Sequence, residues 1–295
     1  MKKILCVILS LSIAFSIMTS SASAADGFDN YDSISAKHAL MERAHAEHAL
    51  MPRTVAPLSQ DEASETIAKM CCGVIEDTEE LRLELERKGV YILDTPVVDD
   101  VTTFSSTVDA SYVRMSTPIV YYNEYTDTWG VAGGGYYIDI SWITSMLALG
   151  KTRDIGGYDA YGVTFTNTQG KYTSRIVSQY AYINDGNGHE RVSNSLNDGD
   201  GRNGYGFRFQ DYGVAAEQAT NGLLYLKYYV GKHFATVVTF TSDFANYAGI
   251  ATSYYVHTYD KAELRSVSLS TSSGLSFAVT VEESSFPAYS SQIRF

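Results

Sequence analysis

Large and small side chains alternate with a period of two along much of residues 89–295. The pattern is clearest at positions 161–165, 234–240 and 275–281, where large residues occupy one parity and small or polar residues the other. Such alternation is typical of β-strands with one buried face. Glycine-containing turns divide these segments, and no helices of crossover length separate them. The sequence therefore predicts a mainly β domain over 89–295, an antiparallel β-sandwich or jelly-roll-like fold.

A short helical segment is predicted to precede this domain, over residues 25–88. Ser59 with Glu62 forms a capping-box pattern, Asp77 with Glu80 repeats it, and an earlier helix over 36–50 ends before Pro52. The segment is acidic, with 14 acidic and 7 basic residues. It is either a helical cap on the sandwich or a pro-segment that is removed.

The first 24 residues have the pattern of a secretory signal peptide. Lys2 and Lys3 precede an apolar run over 4–18, and small residues at 19–24 suit a signal peptidase. No later stretch reaches the roughly 18 apolar residues that a membrane-spanning helix needs. We therefore expect a secreted, extracellular protein with no membrane span after cleavage.

Charge disfavours some classes of partner, and cysteine content disfavours a disulfide-supported fold. The formal net charge of -12 disfavours binding to nucleic acid or to an anionic membrane. After cleavage the remaining cysteines are the neighbours Cys71 and Cys72, so no disulfide framework supports the fold. We expect two buried thiols on a helix; a vicinal disulfide or a reactive dithiol is the alternative.

Tyrosine doublets give the β domain its candidate binding residues. Because neighbouring strand residues point to opposite faces, each doublet should place one ring in the core and one outside. Exposed tyrosine is typical of binding surfaces, although tyrosine is also an ordinary strand residue. Trp129 is expected at an exposed turn. The predicted ligand-binding residues are Trp129, Tyr122, Tyr137, Tyr180, Tyr182, Tyr229 and Tyr255.

Two groups of residues have the residue types and the spacing of metal ligands. Asp185, Asn187, Asp198 and Asp200 lie in a glycine-rich stretch and could supply hard oxygen ligands to Ca²⁺, although the spacing is not that of an EF-hand. A flexible hairpin is the alternative. In the early helix, His38, Glu42 and His45 share one face, with His48 a further turn along, and this face is either a weak metal site or a solvated polar face.

Catalytic signatures are missing from the sequence. It contains no Gly-x-Ser-x-Gly, no His-Glu-x-x-His and no phosphate-binding glycine loop. These observations predict a non-catalytic binding protein that recognises an extracellular glycan or glycoprotein, with oligomeric state open. The alternatives are a protein that binds a host or competitor protein such as an immunoglobulin, and a glycoside hydrolase whose carboxylates converge only in the fold.

Overall fold

The structure is a computed structural model, and it describes most of the chain after residue 31. The described residues are 32–50, 55–99, 112–141, 158–193, 198–199, 201–210, 212–219, 222–258, 264–270, 274–279 and 285–295. The predicted signal peptide lies outside them.

Three helices open the described chain: α1 (Ser33–Leu50), α2 (Gln60–Cys71) and α3 (Glu79–Arg87). The capping box predicted for α2 is confirmed, because Ser59 Oγ accepts from the Glu62 N–H and Glu62 Oε2 accepts from the Ser59 N–H. The prediction for α3 is wrong by one residue. Thr78 caps that helix, while Asp77 forms a salt bridge to Arg82.

Seventeen strands follow in the described residues. They are β1 (Val90–Ile92), β2 (Val97–Asp99), β3 (Val113–Asn123), β4 (Thr128–Tyr137), β5 (Tyr158–Gly170), β6 (Ile176–Asn184), β7 (Glu190–Ser193), β8 (Asp198–Gly199), β9 (Gly204–Gln210), β10 (Tyr212–Ala219), β11 (Gly222–Tyr229), β12 (His233–Thr241), β13 (Tyr247–Thr258), β14 (Leu264–Ser270), β15 (Gly274–Val279), β16 (Ser285–Tyr289) and β17 (Gln292–Arg294).

The strands form two large antiparallel sheets and two hairpins. The first sheet has the order β1-β3-β4-β12-β6-β7, and the second has the order β2-β17-β13-β5-β9-β8, with β16 also paired to β13. The hairpins are β10-β11 and β14-β15. The predicted mainly β, sandwich-like fold with helices before it is confirmed.

Aromatic side chains fill the space between the two sheets. Tyr161, Phe165 and Phe207 of the second sheet meet Phe234 and Phe240 of the first, and all five are nearly inaccessible to solvent. Phe234 stacks on Tyr255 with ring centroids 4.3 Å apart. Burial of this apolar area is the main source of stability in a chain without a disulfide framework.

Helix α2 covers the other face of the first sheet. Its buried Ala63, Ile67 and Met70 pack in one cluster with Tyr121 and Tyr182. Glycine makes room for this layer, since a Cβ at Gly130 would overlap the ring of Tyr121. The central strands of the first sheet are therefore buried on both faces.

Both described cysteines are free and buried at the end of α2, as the sequence predicted. Burial raises the pKa of Cys72 to about 12, and it raises the pKa of Cys71 further. Thiolate is the nucleophilic form of cysteine, so the folded protein should present almost none at neutral pH.

We expect the folded protein to resist alkylation by iodoacetamide near pH 8, because neither thiol is ionised or accessible. Mass spectrometry of the native and the urea-unfolded chain would measure this. On the chain without residues 1–24, which retains Cys71 and Cys72, two added groups should be found only after unfolding. Rapid labelling of the folded chain, or a mass lower by two hydrogens that indicates a disulfide, would contradict the expectation.

In the part of the chain that the structure describes, no helix is both long and apolar enough to cross a membrane.

Candidate functional site

The tyrosine doublets split between the two faces of a sheet, as expected, but the prediction of the exposed member is wrong. Tyr122, Tyr137, Tyr229 and Tyr255 are each at most 3% exposed and lie in the sandwich core. In every case the second tyrosine of the doublet lies in the core, while of the first members Tyr136 and Tyr228 are half-buried and Tyr254 is 8% exposed. For Tyr121 even the outward position is buried, because α2 covers it.

The other predicted aromatic residues are also buried. Trp129 lies within β4 rather than in an exposed turn, and its ring is 5.2 Å from that of Tyr122. Tyr180 and Tyr182 lie on the face that α2 covers. The predicted set is thus divided between two interior layers, and it does not form a continuous exposed platform.

Two of the predicted tyrosines instead join a buried polar network. Tyr137 and Tyr255 hydroxyls are 3.0 Å apart, and Tyr255 donates to the carboxylate of Asp159. The same carboxylate accepts from His257 Nδ1 at 3.0 Å and from the Thr258 N–H at 2.9 Å. Burial and the Asp159 charge raise the pKa of Tyr255 well above its usual value, so the phenol stays protonated and donates.

A row of polar and aromatic residues crosses the first sheet just beyond the end of α2. Strand register places them as direct neighbours on β3, β4, β12, β6 and β7. Directly paired residues of an antiparallel sheet share a face. We call this set the terminal row; it consists of Arg114, Tyr136, His233, Asn184 and Glu190.

Tyr136 and His233 form the centre of the terminal row. Both side chains are half-buried, and their rings stack at 5.8 Å with an angle of 26°. His233 Nδ1 lies 2.8 Å from the carbonyl oxygen of Cys72, so Nδ1 carries the proton and donates it. Burial lowers the pKa of His233, with a further contribution from Lys232. The imidazole is therefore neutral at neutral pH and uses Nε2 as an acceptor.

Glu190 and Asn184 form one end of the terminal row. Glu190 Oε1 accepts from the Tyr182 hydroxyl at 2.8 Å and from Asn184 Nδ2 at 3.3 Å. Lys69 of α2 approaches the same carboxylate at 3.7 Å. Arg114, at the other end, is exposed. The row thus has opposite charges at its two ends and two stacked rings between them.

An oriented histidine lies in the turn between β6 and β7, next to the terminal row. His189 Nδ1 is 2.7 Å from Asp185 Oδ2, and the other Asp185 oxygen accepts from the N–H groups of Asn187 and His189. Burial opposes ionisation of Asp185, but these hydrogen bonds lower its pKa overall. The imidazole is 59% exposed, so the pair presents Nε2 to solvent in a fixed direction.

Two further side chains border this histidine. The ring of Tyr228 lies 4.8 Å from that of His189. The Lys232 chain runs across Gly186, where a Cβ would come within 2.9 Å of Lys232 Cδ. Gly186 also has a positive φ of 79°, so glycine is required there for two reasons. Tyr228 immediately precedes Tyr229, whose ring contacts Tyr137 in the core.

The calcium ligands of the sequence prediction are not brought together in the described residues. Both oxygens of Asp185 are occupied by His189 and by backbone N–H groups. Asp198 pairs with Gly206 in the second sheet, and Asp200 lies outside the described residues. No group of three acidic, histidine or cysteine residues with metal-binding geometry occurs among the residues described. Calcium binding remains a prediction.

The histidines of α1 contact the body of the protein instead of one another. His38 Nε2 lies 3.0 Å from Asn246 Oδ1, and His45 Nε2 lies 3.1 Å from the Tyr122 hydroxyl. They hold α1 against the edge of the sandwich.

Two grooves lie elsewhere, beside α3 and β1. Their volumes are about 370 and 560 Å³, and both include Arg82, Leu93 and Asp94 in their walls. Asp77 and Asp94 form salt bridges with Arg82 between them. The grooves do not contain the oriented imidazoles, so the terminal row is the better candidate site.

Sequence reasoning missed the terminal row because its five residues come from five strands. The Tyr136-Tyr137 doublet is the available signal, but the pattern predicts Tyr137 as the outer ring, whereas Tyr137 is buried and Tyr136 belongs to the row. A scan against protein-family models and a search of curated proteins both found no match for this chain.

Proposed function

We propose that this protein is an exported, non-catalytic binding protein that recognises an extracellular glycan or glycoprotein at the terminal row. The observation that carries the proposal is the Tyr136 ring stacked on a neutral, hydrogen-bonded His233, between Arg114 and Glu190. The leader pattern and the acidic composition support export and a partner other than nucleic acid.

The chemistry of the row suits a sugar. A sugar ring has apolar C–H faces and a rim of hydroxyl groups that both donate and accept hydrogen bonds. Specific sites usually combine an apolar or aromatic contact with a few positioned polar groups. Here Tyr136 offers the aromatic contact, His233 Nε2 and Glu190 accept, and Arg114 donates. The Asp185-oriented His189 adds another fixed polar group beside the row.

Replacing Tyr136 with alanine should weaken glycan binding by at least about tenfold, because about 1.4 kcal/mol of ring contact is lost. A glycan array and pull-down from cell-surface material would identify the ligand, and titration calorimetry would measure the affinity. Arg114→Gln should also weaken binding, with no loss of folding, since this side chain is exposed.

Tyr125 provides a matched control. Its ring is 66% exposed at the turn between β3 and β4, at the other end of these strands. Tyr125→Ala should bind as the wild type does. The proposal is wrong if no glycan or glycoprotein is retained, or if Tyr136→Ala and Arg114→Gln leave affinity unchanged. Retention of proteins without glycans would favour the protein-ligand alternative.

A hydrolase is the second candidate, and the Asp185–His189 pair favours it. A buried carboxylate that orients an exposed imidazole is the arrangement of a general base. If the protein is a hydrolase of this kind, ester groups carried by glycans should be cleaved and His189→Ala should abolish that cleavage. Binding without turnover, with His189→Ala folded as the wild type is, would leave a binding protein as the better description.

A further inference from the structure

We infer that the groove between α2 and β3 is a second subsite of the terminal row, and that the ligand is an uncharged oligosaccharide chain that runs from the row into this groove. The inference rests on the proposed function, because it extends the proposed site along the same face of the first sheet. The groove is the smaller of the two beside β1, with a volume of about 370 Å³. A cavity of this size suits a small ligand or one part of a longer ligand.

The C-terminal turn of α2 adjoins both the groove and the terminal row. Cys71 lines the groove, and the carbonyl oxygen of the next residue, Cys72, accepts the hydrogen bond from His233 of the row. Gly73 then lies against the ring of Tyr136, where a Cβ would come within 2.8 Å of Cε1. Consecutive residues of one turn therefore border first the groove and then the centre of the row.

Strand β3 connects the groove to the row along the sheet. Arg114 ends the row, and Ser116, two residues later, lines the groove. Ser116 pairs with Gly134 as Arg114 pairs with Tyr136, so both residues lie on the face of the sheet that carries α2. Tyr136 is one strand spacing, about 5 Å, from Arg114, and Ser116 is about 7 Å further along β3. A single sugar against Tyr136 would not reach the groove, whereas a chain of several sugars would.

The walls of the groove combine the groups that a sugar chain requires. They include hydroxyl groups and apolar side chains, among them Thr95, Ser116, Thr117, Met70, Ile92 and Pro118. The hydroxyl groups can donate to sugar hydroxyls or accept from them. The apolar side chains suit the C–H faces of the sugar rings. Thr117 is exposed and Ser116 is half-buried, so both are within reach of a ligand that enters from solvent.

The charges around the groove favour an uncharged chain. Arg82 is fixed between two carboxylates, since Asp77 accepts from Nε and Nη2 at 2.8 and 2.7 Å and Asp94 accepts from Nη1 at 3.2 Å. The walls thus carry more negative than positive charge, and a uronic acid or a sulfated sugar would meet like charges there. Arg114, at the junction with the row, disfavours a cationic chain in the same way.

Titration calorimetry of the mature chain with uncharged oligosaccharides tests the inference. The probes are glucose, mannose and N-acetylglucosamine series from disaccharide to hexasaccharide. In the series that binds, the hexasaccharide should bind at least about tenfold more tightly than the disaccharide, because only the longer chain reaches the groove. The galacturonic acid hexamer should bind more weakly than the uncharged hexasaccharide.

A variant that fills the groove should remove the advantage of the longer chain. Thr117→Trp places a large side chain at an exposed position in the groove wall and should bring the ratio of the two affinities close to one. Gln169→Trp is the matched control, since Gln169 is an exposed strand residue on β5 of the second sheet. This variant should keep the ratio of the wild type.

Hydrogen exchange of the wild type tests the subsite without a variant. The hexasaccharide should slow exchange of the backbone amides at residues 116–119, and the disaccharide should not.

The possible failures are distinguishable. Equal affinity for the two lengths, a ratio that survives in Thr117→Trp, or tighter binding of the galacturonic acid hexamer would overturn the inference. If Tyr136→Ala weakens the binding of the disaccharide in such a case, the proposed function stands and only the second subsite is wrong. If neither oligosaccharides nor glycoproteins bind at all, the proposed function is wrong and the inference fails with it.

Discussion

Replacing Lys37 with methionine is expected to raise the free energy of unfolding by about 4 kcal/mol at pH 7. Lys37 lies on the buried face of α1 and is 0% exposed. Its Nζ sits 5.7 and 5.4 Å from the ring centroids of Phe244 and Phe295, and it makes no hydrogen bond with the described residues. Methionine keeps the length and apolar contacts of the side chain without the charge.

The pH dependence of this gain has a definite sign. Burial lowers the pKa of Lys37 from 10.5 to about 7, and the charge of Asp32 offsets only part of that effect. The unfolded chain therefore binds a proton more tightly than the folded chain, which destabilises the fold below pH 10.5. The cost grows as pH falls toward 7 and is constant below it. The advantage of Lys37→Met should accordingly be full near pH 6 and vanish above the unfolded pKa.

Urea denaturation of both proteins at several pH values would measure the difference. Lys171→Met is the control, since that lysine is exposed and its substitution should change stability by less than about 0.5 kcal/mol. If Lys37→Met is no more stable than the wild type at pH 7, or gains equally at all pH values, the charge on Lys37 is not the cause.

The local features of the fold were predictable from the sequence because they depend on neighbouring residues. The capping box at Ser59 and Glu62 requires only residues three apart. The opposite directions of Tyr121 and Tyr122 follow from the pleat of one strand. Both predictions are confirmed.

The exposure of the tyrosines was not predictable in the same way. A period of two shows that a strand has two unlike faces, but it does not show what covers each face. Tyr121 has the polar partners Ser64 and Gln60 of α2, more than fifty residues earlier in the chain. Only the packing of that helix on the sheet decides that Tyr121 is buried. The terminal row has the same origin, since Arg114 and Glu190 share it only through the register of five strands.

Removing the carboxylate of Asp159 is expected to destabilise the sandwich by about 3 to 5 kcal/mol. Asp159 and His257 are 0% exposed at the place where Tyr137, Tyr229 and Tyr255 also meet. In Asp159→Asn, the amide nitrogen can accept none of the hydrogen bonds that Tyr255 and His257 now donate. At least one buried donor then lacks a partner, and the free energy of unfolding falls by the full desolvation penalty of that donor.

A graded set of variants separates this effect from a general loss of packing. Tyr255→Phe removes one donor and keeps the ring on Phe234, so it should cost only about 1 to 2 kcal/mol. Asp243→Asn, at an exposed carboxylate that accepts from Thr173, should change stability by less than about 0.5 kcal/mol. Urea denaturation would establish the order of the variants' stabilities, provided that the free energy of unfolding falls with urea concentration at the same slope in each. If Asp159→Asn costs less than Tyr255→Phe, the carboxylate is not the centre of the network. Since the ring of Tyr229 contacts that of Tyr137, Asp159→Asn should also raise hydrogen exchange near residue 229.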